Sequence, residues 1–222
     1  MHIGLIGGIG PAATIAYYNN LVFEFRKAGL PLELTIVHAD VTTLISNAGS
    51  DNREAQAAVF VKHLRQLKAA GCDVAAITAL TGHFCFNETL SQSPLPLLSA
   101  IEAIDRYCED QGISIVGLLG SPPVLSSRLF GQLRNTNCVV PKSNPEELGR
   151  DYLEMATSGV CSELTRQKFL NAGADMVAEQ KAEAILLAGT DLALAFDGQS
   201  PGYKTIDALA IHINALLSLA RR

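Results

Sequence analysis

Short apolar runs alternate with longer stretches of helical periodicity along the whole chain. The opening run, Met1-His2-Ile3-Gly4-Leu5-Ile6, predicts a strand that runs into Gly7-Gly8-Ile9-Gly10-Pro11. From Thr14 to Lys27 the residues Ile15, Tyr18, Leu21, Val22 and Phe25 recur at helical spacing. Gly29-Leu30-Pro31 stops that helix, and Leu32 to His38 predicts a second strand. Asp51 is placed to cap a helix reaching about Ala70, with Val59, Phe60, His63, Leu64 and Leu67 along one face. Val74 to Thr78 predicts a third strand and Leu95 to Leu98 a short fourth.

The pattern then restarts. Ala100 to Gln111 reads as a helix, and Ile113 to Ser121 repeats the grammar of the opening strand. Asn137 to Pro141 predicts a strand, and Glu146 to Met155 and Leu164 to Gln180 predict helices. Ala184-Ile185-Leu186-Leu187-Ala188-Gly189-Thr190-Asp191 answers Val74-Ala75-Ala76-Ile77-Thr78-Ala79-Leu80-Thr81. A last helix, Ile206 to Ala220, follows an extended piece around Tyr203. Two features repeating in the same order at nearly the same offset point to an internal duplication. Strands alternating with helices mean parallel sheets. The expected fold is therefore α/β: two pseudo-symmetric lobes, each a parallel sheet with flanking helices. Residues 1–98 plus 203–222 make the first lobe and residues 99–202 the second. Ligands of such sheets lie beyond the carboxyl ends of the strands. Thr81-Gly82 and Thr190-Asp191 stand there, so a cleft between the halves is the expected site.

Composition narrows the partners. With 222 residues, 48% of them hydrophobic, the chain has ample material for one large or two small domains. The net charge of −5 and the scattered Lys and Arg exclude nucleic acid as the expected partner. No apolar run is long enough to span a bilayer, and no basic leader precedes the first strand. Five cysteines without a CxxC pair suggest a reduced, cytoplasmic protein with no structural metal or disulfide framework.

The glycine turn is the first candidate for chemistry. Glycine permits a sharp turn with open N–H groups, and Pro11 suits the first position of a helix. A strand, a glycine turn and a helix N-terminus together make an anion site; a tight turn without a ligand is the plainer alternative. A dinucleotide is not expected, because the spacing is not GxGxxG and Asp40 comes too late for a ribose-binding acid.

Gly4-Leu5-Ile6-Gly7-Gly8-Ile9-Gly10-Pro11 resembles the opening of cofactor-independent aspartate/glutamate racemases. The likeness continues through Thr81-Gly82-His83, Val116-Gly117-Leu118-Leu119-Gly120-Ser121, the turn from Leu187 to Asp191, and Asp207 with His212. It implies two lobes enclosing a small acidic substrate, one cysteine from each lobe facing the α-carbon, and a homodimer. One thiolate would remove the α-proton and the other thiol would return one to the opposite face. The carbanion needs backbone N–H donors around its carboxylate, and the base needs a lowered thiol pKa.

The chain departs from that pattern at both thiols. Where the family reads Cys-Asn-Thr-x-His it has Ala79-Leu80-Thr81-Gly82-His83, and where the family reads Gly-Cys-Thr-Glu it has Ala188-Gly189-Thr190-Asp191. The expected function is action at the α-carbon of a small acidic amino acid or dicarboxylate without a cofactor, weak or altered because Ala79 and Gly189 hold the thiol positions. The alternatives are a catalytically silent acidic-metabolite binding protein and a related isomerase, decarboxylase or lyase. Gly8, Ile9, Gly10, Thr81, Gly82, Thr190 and, through the resemblance, His212 are the substrate-binding candidates. Cys85, at the start of a helix where a thiol pKa falls, is a substitute catalyst or a packing residue. His83 is a carboxylate ligand or base, or else orients its turn. Asp191 caps the next helix, or acts as a base if burial raises its pKa. Cysteines at positions 79 and 189 would be expected to restore a thiol on each side of the α-carbon.

Overall fold

The computed structural model describes residues 1–8 and 10–221 and contains two four-stranded, all-parallel sheets. The chain divides into two compact units, one of Met1–Ala103 with His212–Arg222 and one of Ile104–Ile211.

The first sheet has the order β2-β1-β3-β4, from strands β1 (His2–Gly7), β2 (Glu33–His38), β3 (Val74–Ile77) and β4 (Leu97–Leu98). Every residue of β3 is buried, as are residues 3–7 of β1. Continuous apolar runs of this kind mark parallel strands covered on both faces. The edge strand β2 is more exposed. Helices α1 (Pro11–Lys27), α2 (Val41–Gly49), α3 (Arg53–Ala69) and α4 (Phe86–Leu90) belong to this half. Leu21 and Phe25 of α1 and Phe60, Leu64 and Leu67 of α3 complete the core.

Helix α5 (Ala100–Asp110) leads to the second sheet. Its order, β6-β5-β7-β8, repeats that of the first, with strands β5 (Ile115–Gly120), β6 (Asn137–Val139), β7 (Ala184–Ala188) and β8 (Thr205–Asp207). Helices α6 (Pro122–Ser126), α7 (Pro145–Ser158), α8 (Glu163–Gln180) and α9 (Ala193–Phe196) follow the same alternation, and α10 (Ala208–Ala220) ends it. The core of this half gathers Leu119, Tyr152, Met155, Phe169, Met176 and Ile185.

The duplication extends to hydrogen bonds. Asp73, just before β3, accepts the His2 N–H at 2.8 Å and gives its own N–H to the His2 carbonyl. Glu183, just before β7, accepts the Ser114 and Ile115 N–H groups and gives its own to the Ile115 carbonyl. A carboxylate thus clasps the start of the central strand in each half.

The structure departs from the predicted elements at three places. Helix α2 was not expected; the Asp40 side chain opens it by accepting the Thr43 N–H at 2.8 Å. Asn52 rather than Asp51 caps α3, because Asp51 turns left-handed at φ 49. Ile206 and Asp207 lie in β8 instead of the last helix, since β8 pairs with β7, Leu186 opposite Ile206. Asp207 accepts the Leu209 N–H as α10 begins.

Candidate functional site

The first unit carries the glycine turn. Gly8 has φ 85, and a Cβ there would lie 2.4 Å from the Ala39 carbonyl oxygen. Only glycine fits such a position. The sequence predicts an N–H open to a ligand here, but the Gly8 N–H donates to Thr14 Oγ1 at 3.0 Å. Thr14 Oγ1 also meets the Gly10 carbonyl at 3.1 Å and Thr78 Oγ1 at 3.2 Å. Thr78 in turn donates to the Ile6 carbonyl. These bonds tie the turn after β1 to the end of β3. Gly10 precedes α1 with Pro11 at its first turn and no side-chain cap, so the helix N-terminus still presents backbone donors. Ile9 lies outside the described residues.

The end of β3 leads through Ala79 into a 3-10 turn, Leu80–Cys85. Ala79 is extended (φ −137, ψ 132), and the Gly82 N–H donates to its carbonyl at 3.1 Å. His83 is fully buried and stacked on Phe86. Its Nδ1 meets the Ala79 carbonyl at 3.1 Å, and its Nε2 lies 3.1 Å from the Ala100 N–H. A carbonyl only accepts and an amide N–H only donates, so Nδ1 carries the proton and Nε2 accepts. Burial pulls its pKa down to about 4. His83 is thus a neutral bolt holding the turn and not a group that titrates near neutral pH. His212 lies 6.4 Å from it, ring to ring, with Nδ1 2.7 Å from the Tyr17 hydroxyl. Burial, helped by the neighbouring His83, lowers its pKa to about 3.

Cys85 is also fully buried, and its sulfur lies 3.7 Å from Thr89 Oγ1. Burial pushes the thiol up to about 11, opposite to the lowering expected from a helix start. Thr81 is half-buried and Gly82 buried.

The second unit repeats the turn with different contents. Gly189 follows β7, is extended (φ −178, ψ 135), and its carbonyl accepts the Leu192 N–H at 3.1 Å. Thr190 opens the 3-10 turn Thr190–Leu192. No left-handed angle demands glycine at position 189; a close neighbour does. A Cβ on Gly189 would lie 2.2 Å from the Tyr152 hydroxyl oxygen and 3.0 Å from its Cζ. That hydroxyl donates to Asp191 Oδ2 at 3.2 Å. Burial, with the Asp191 carboxylate beside it, raises the Tyr152 pKa. Asp191 therefore receives a phenol where a helix cap was expected; no side chain caps the 3-10 turn or α9. A cysteine at 189 would require the Tyr152 hydroxyl to shift, because its Cβ would lie 2.2 Å from that oxygen.

Tyr152 escaped the sequence reading because it lies on α7, far from the turn in sequence. The available signal was Gly189 itself, a glycine where the resemblance implies a cysteine.

Two parallel sheets of the same strand order, each ending its third strand in an extended residue and a 3-10 turn, make an internally duplicated α/β fold. The family model described as Asp/Glu/Hydantoin racemase matches residues 6–216, and the chain belongs to that family. Its fold is similar to that of an aspartate racemase homologue from Pyrococcus horikoshii OT3, with a TM-score of 0.86 at 24% identity, covering 100% of this chain and 99% of that one. It is also similar to Picrophilus torridus aspartate racemase, with a TM-score of 0.74 at 20% identity, covering 99% and 94%. Arylmalonate decarboxylase is a more distant neighbour, with a TM-score of 0.58 at 16% identity, covering 99% and 92%. Among the described residues, no helix is long and apolar enough to cross a membrane.

Proposed function

We propose that this protein binds a small acidic amino acid or dicarboxylate and acts at its α-carbon without pyridoxal phosphate, and that it lacks two-thiol racemisation. One observation carries the reading: the turns that end β3 and β7 share one backbone form, and neither Ala79 nor Gly189 brings a thiol to it. In the first unit the uncapped N-terminus of α1 and the hydroxyl of Thr81, and in the second the hydroxyl of Thr190, are polar groups of the kind that hold carboxylates. Cys85 does not replace the missing thiols, because a thiol held at about 11 is almost wholly protonated at neutral pH. A catalytically silent binder of acidic metabolites is the second reading, favoured by the same two empty positions. A homodimer in the cytoplasm completes the proposal.

The test is to incubate the protein with L- and D-aspartate and with L- and D-glutamate, measuring binding by calorimetry and inversion by chiral chromatography. Binding with little or no inversion is expected. Rapid inversion would place catalytic groups elsewhere, and no binding of any of the four would remove the acidic substrate class. Sedimentation as a strict monomer would remove the homodimer.

A further inference from the structure

We infer that Tyr152 and Asp191 form a proton relay in the place of the second thiol, so that the protein exchanges the α-proton of an acidic amino acid on one face only. The inference rests on the proposed acidic substrate.

Three observations support it. The Tyr152 hydroxyl oxygen stands 2.2 Å from where a Cβ at position 189 would be, so an acid–base atom already occupies the start of the missing side chain. The ring is fixed there by the core of the second unit, where it packs with Leu148, Met155 and Phe169. The hydroxyl already donates to Asp191 Oδ2 at 3.2 Å, so its proton has a defined acceptor. A buried phenol next to a carboxylate is a poor base alone, because a phenolate there would face a second negative charge. A relay avoids that charge. The α-proton passes to the tyrosine oxygen as the tyrosine O–H proton passes to Asp191. The C–H electron pair remains on the substrate as the carbanion, Tyr152 stays neutral, and the carboxylate becomes a carboxylic acid. Half-buried Asp191 trades that proton with solvent, and the reversed step returns a solvent hydrogen to the face it left. A single relay serves one face only, so the exchange proceeds without inversion.

The test follows the α-proton of L- and D-aspartate and of L- and D-glutamate by NMR in D2O, with the Kd of each measured in parallel. The unmodified protein should exchange one enantiomer with retention of configuration. Tyr152→Phe keeps the ring and removes the relay atom; Asp191→Asn keeps a hydrogen-bond acceptor and removes the base. Each should slow exchange by about a hundredfold or more, the usual contribution of an acid–base group, while Kd stays within a few-fold. Exchange at the parent rate in either variant overturns the relay, as does inversion by the parent. Binding without exchange in the parent also overturns the relay but leaves the acidic-substrate reading standing. No binding by the parent overturns both.

Discussion

The turns that end β3 and β7 share a backbone and differ in contents. In each, an extended residue opens a 3-10 turn, and its carbonyl accepts the N–H three residues on, Gly82 to Ala79 and Leu192 to Gly189. Beneath the first turn lies a sealed pair of neutral histidines. Against the second lies a phenol paired with a carboxylate. A duplicated frame conserves backbone geometry because the strand pairing fixes it; the side chains at its ends answer only to local packing and chemistry. The first half spends its polar groups on holding its turn. The second keeps a proton within reach of Gly189.

The most disruptive way to probe the difference is at the strand-end glycine. Gly8 needs φ 85, whereas Ser121, which opens α6 after β5, sits at an ordinary φ of −67. Gly8→Ala combines left-handed strain with a Cβ 2.4 Å from a backbone oxygen. A loss on the order of 4 kcal/mol is expected, from about 1–3 for strain and about 1–3 for overpacking. Ser121→Ala should change stability by less than about 1 kcal/mol. Urea unfolding of both variants checks this, and equal losses would mean that the two turns are equally constrained.

Acid should separate the halves next. All five histidines, His2, His38, His63, His83 and His212, lie in the first unit. His83 and His212 are neutral when folded, with pKa values lowered to about 4 and about 3, and regain the ordinary value of about 6.5 when unfolded. Between those limits the unfolded chain binds more protons, so stability falls as pH falls. Their contribution is fully present above about pH 6.5 and is lost progressively toward about pH 3. From pH 7 to pH 5 the loss is on the order of 3 kcal/mol. Hydrogen exchange read by mass spectrometry at the two pH values should show amides of the first unit losing protection well before those of 104–211. Equal loss in both units would mean that the histidine pair does not set the acid limit.

Much of this frame was legible because parallel strands advertise themselves. The runs at Ile3 to Ile6, Val74 to Ile77 and Ala184 to Ala188 are apolar on both faces, and their order disclosed the duplication. Helix α2 was not legible: Val41-Thr42-Thr43 favours extended structure, and only the Asp40 cap and packing of Leu44 select a helix. Ile206 read as helical because its neighbours are, yet pairing with Leu186 decided otherwise. At the candidate site, Ala79 and Gly189 were visible in the letters as the residues standing where the resemblance implies thiols. The states of His83 and Cys85 were not, since burial sets them. Tyr152 was invisible for a related reason, being brought to Gly189 only by the packing of α7.

Gly189 offers a sharper and smaller measure of that packing. Gly189→Ala places a Cβ 2.2 Å from the Tyr152 hydroxyl oxygen and should cost about 2 kcal/mol through overpacking. In a Tyr152→Phe background that atom is gone, and only the ring contacts at 3.0 and 3.1 Å remain. The cost of Gly189→Ala should then fall to less than half, a coupling measurable in a double-mutant cycle. Equal costs in both backgrounds would show that the hydroxyl does not occupy the side-chain position.

The smallest effect concerns two asparagines that open helices in the two halves. Asn52 precedes α3 with φ −82, and its side chain accepts the Ala55 N–H at 3.3 Å. Asn144 precedes α7 with φ 50 and caps nothing with its side chain. One residue type thus does two jobs. Asn52 satisfies a donor that the helix leaves unpaired, whereas Asn144 tolerates a left-handed angle that most residues resist. Asn52→Ala should cost about 1 kcal/mol, the usual value of a lost N-cap. Asn144→Gly should change stability by less than about 0.5 kcal/mol, because glycine accepts the same angle and no side-chain bond is lost. Thermal melts of the two variants decide it. A larger loss from Asn144→Gly than from Asn52→Ala would mean that the Asn144 side chain holds α7 by a contact other than a cap. That contact would make the start of the helix bearing Tyr152 a second determinant of where its hydroxyl sits.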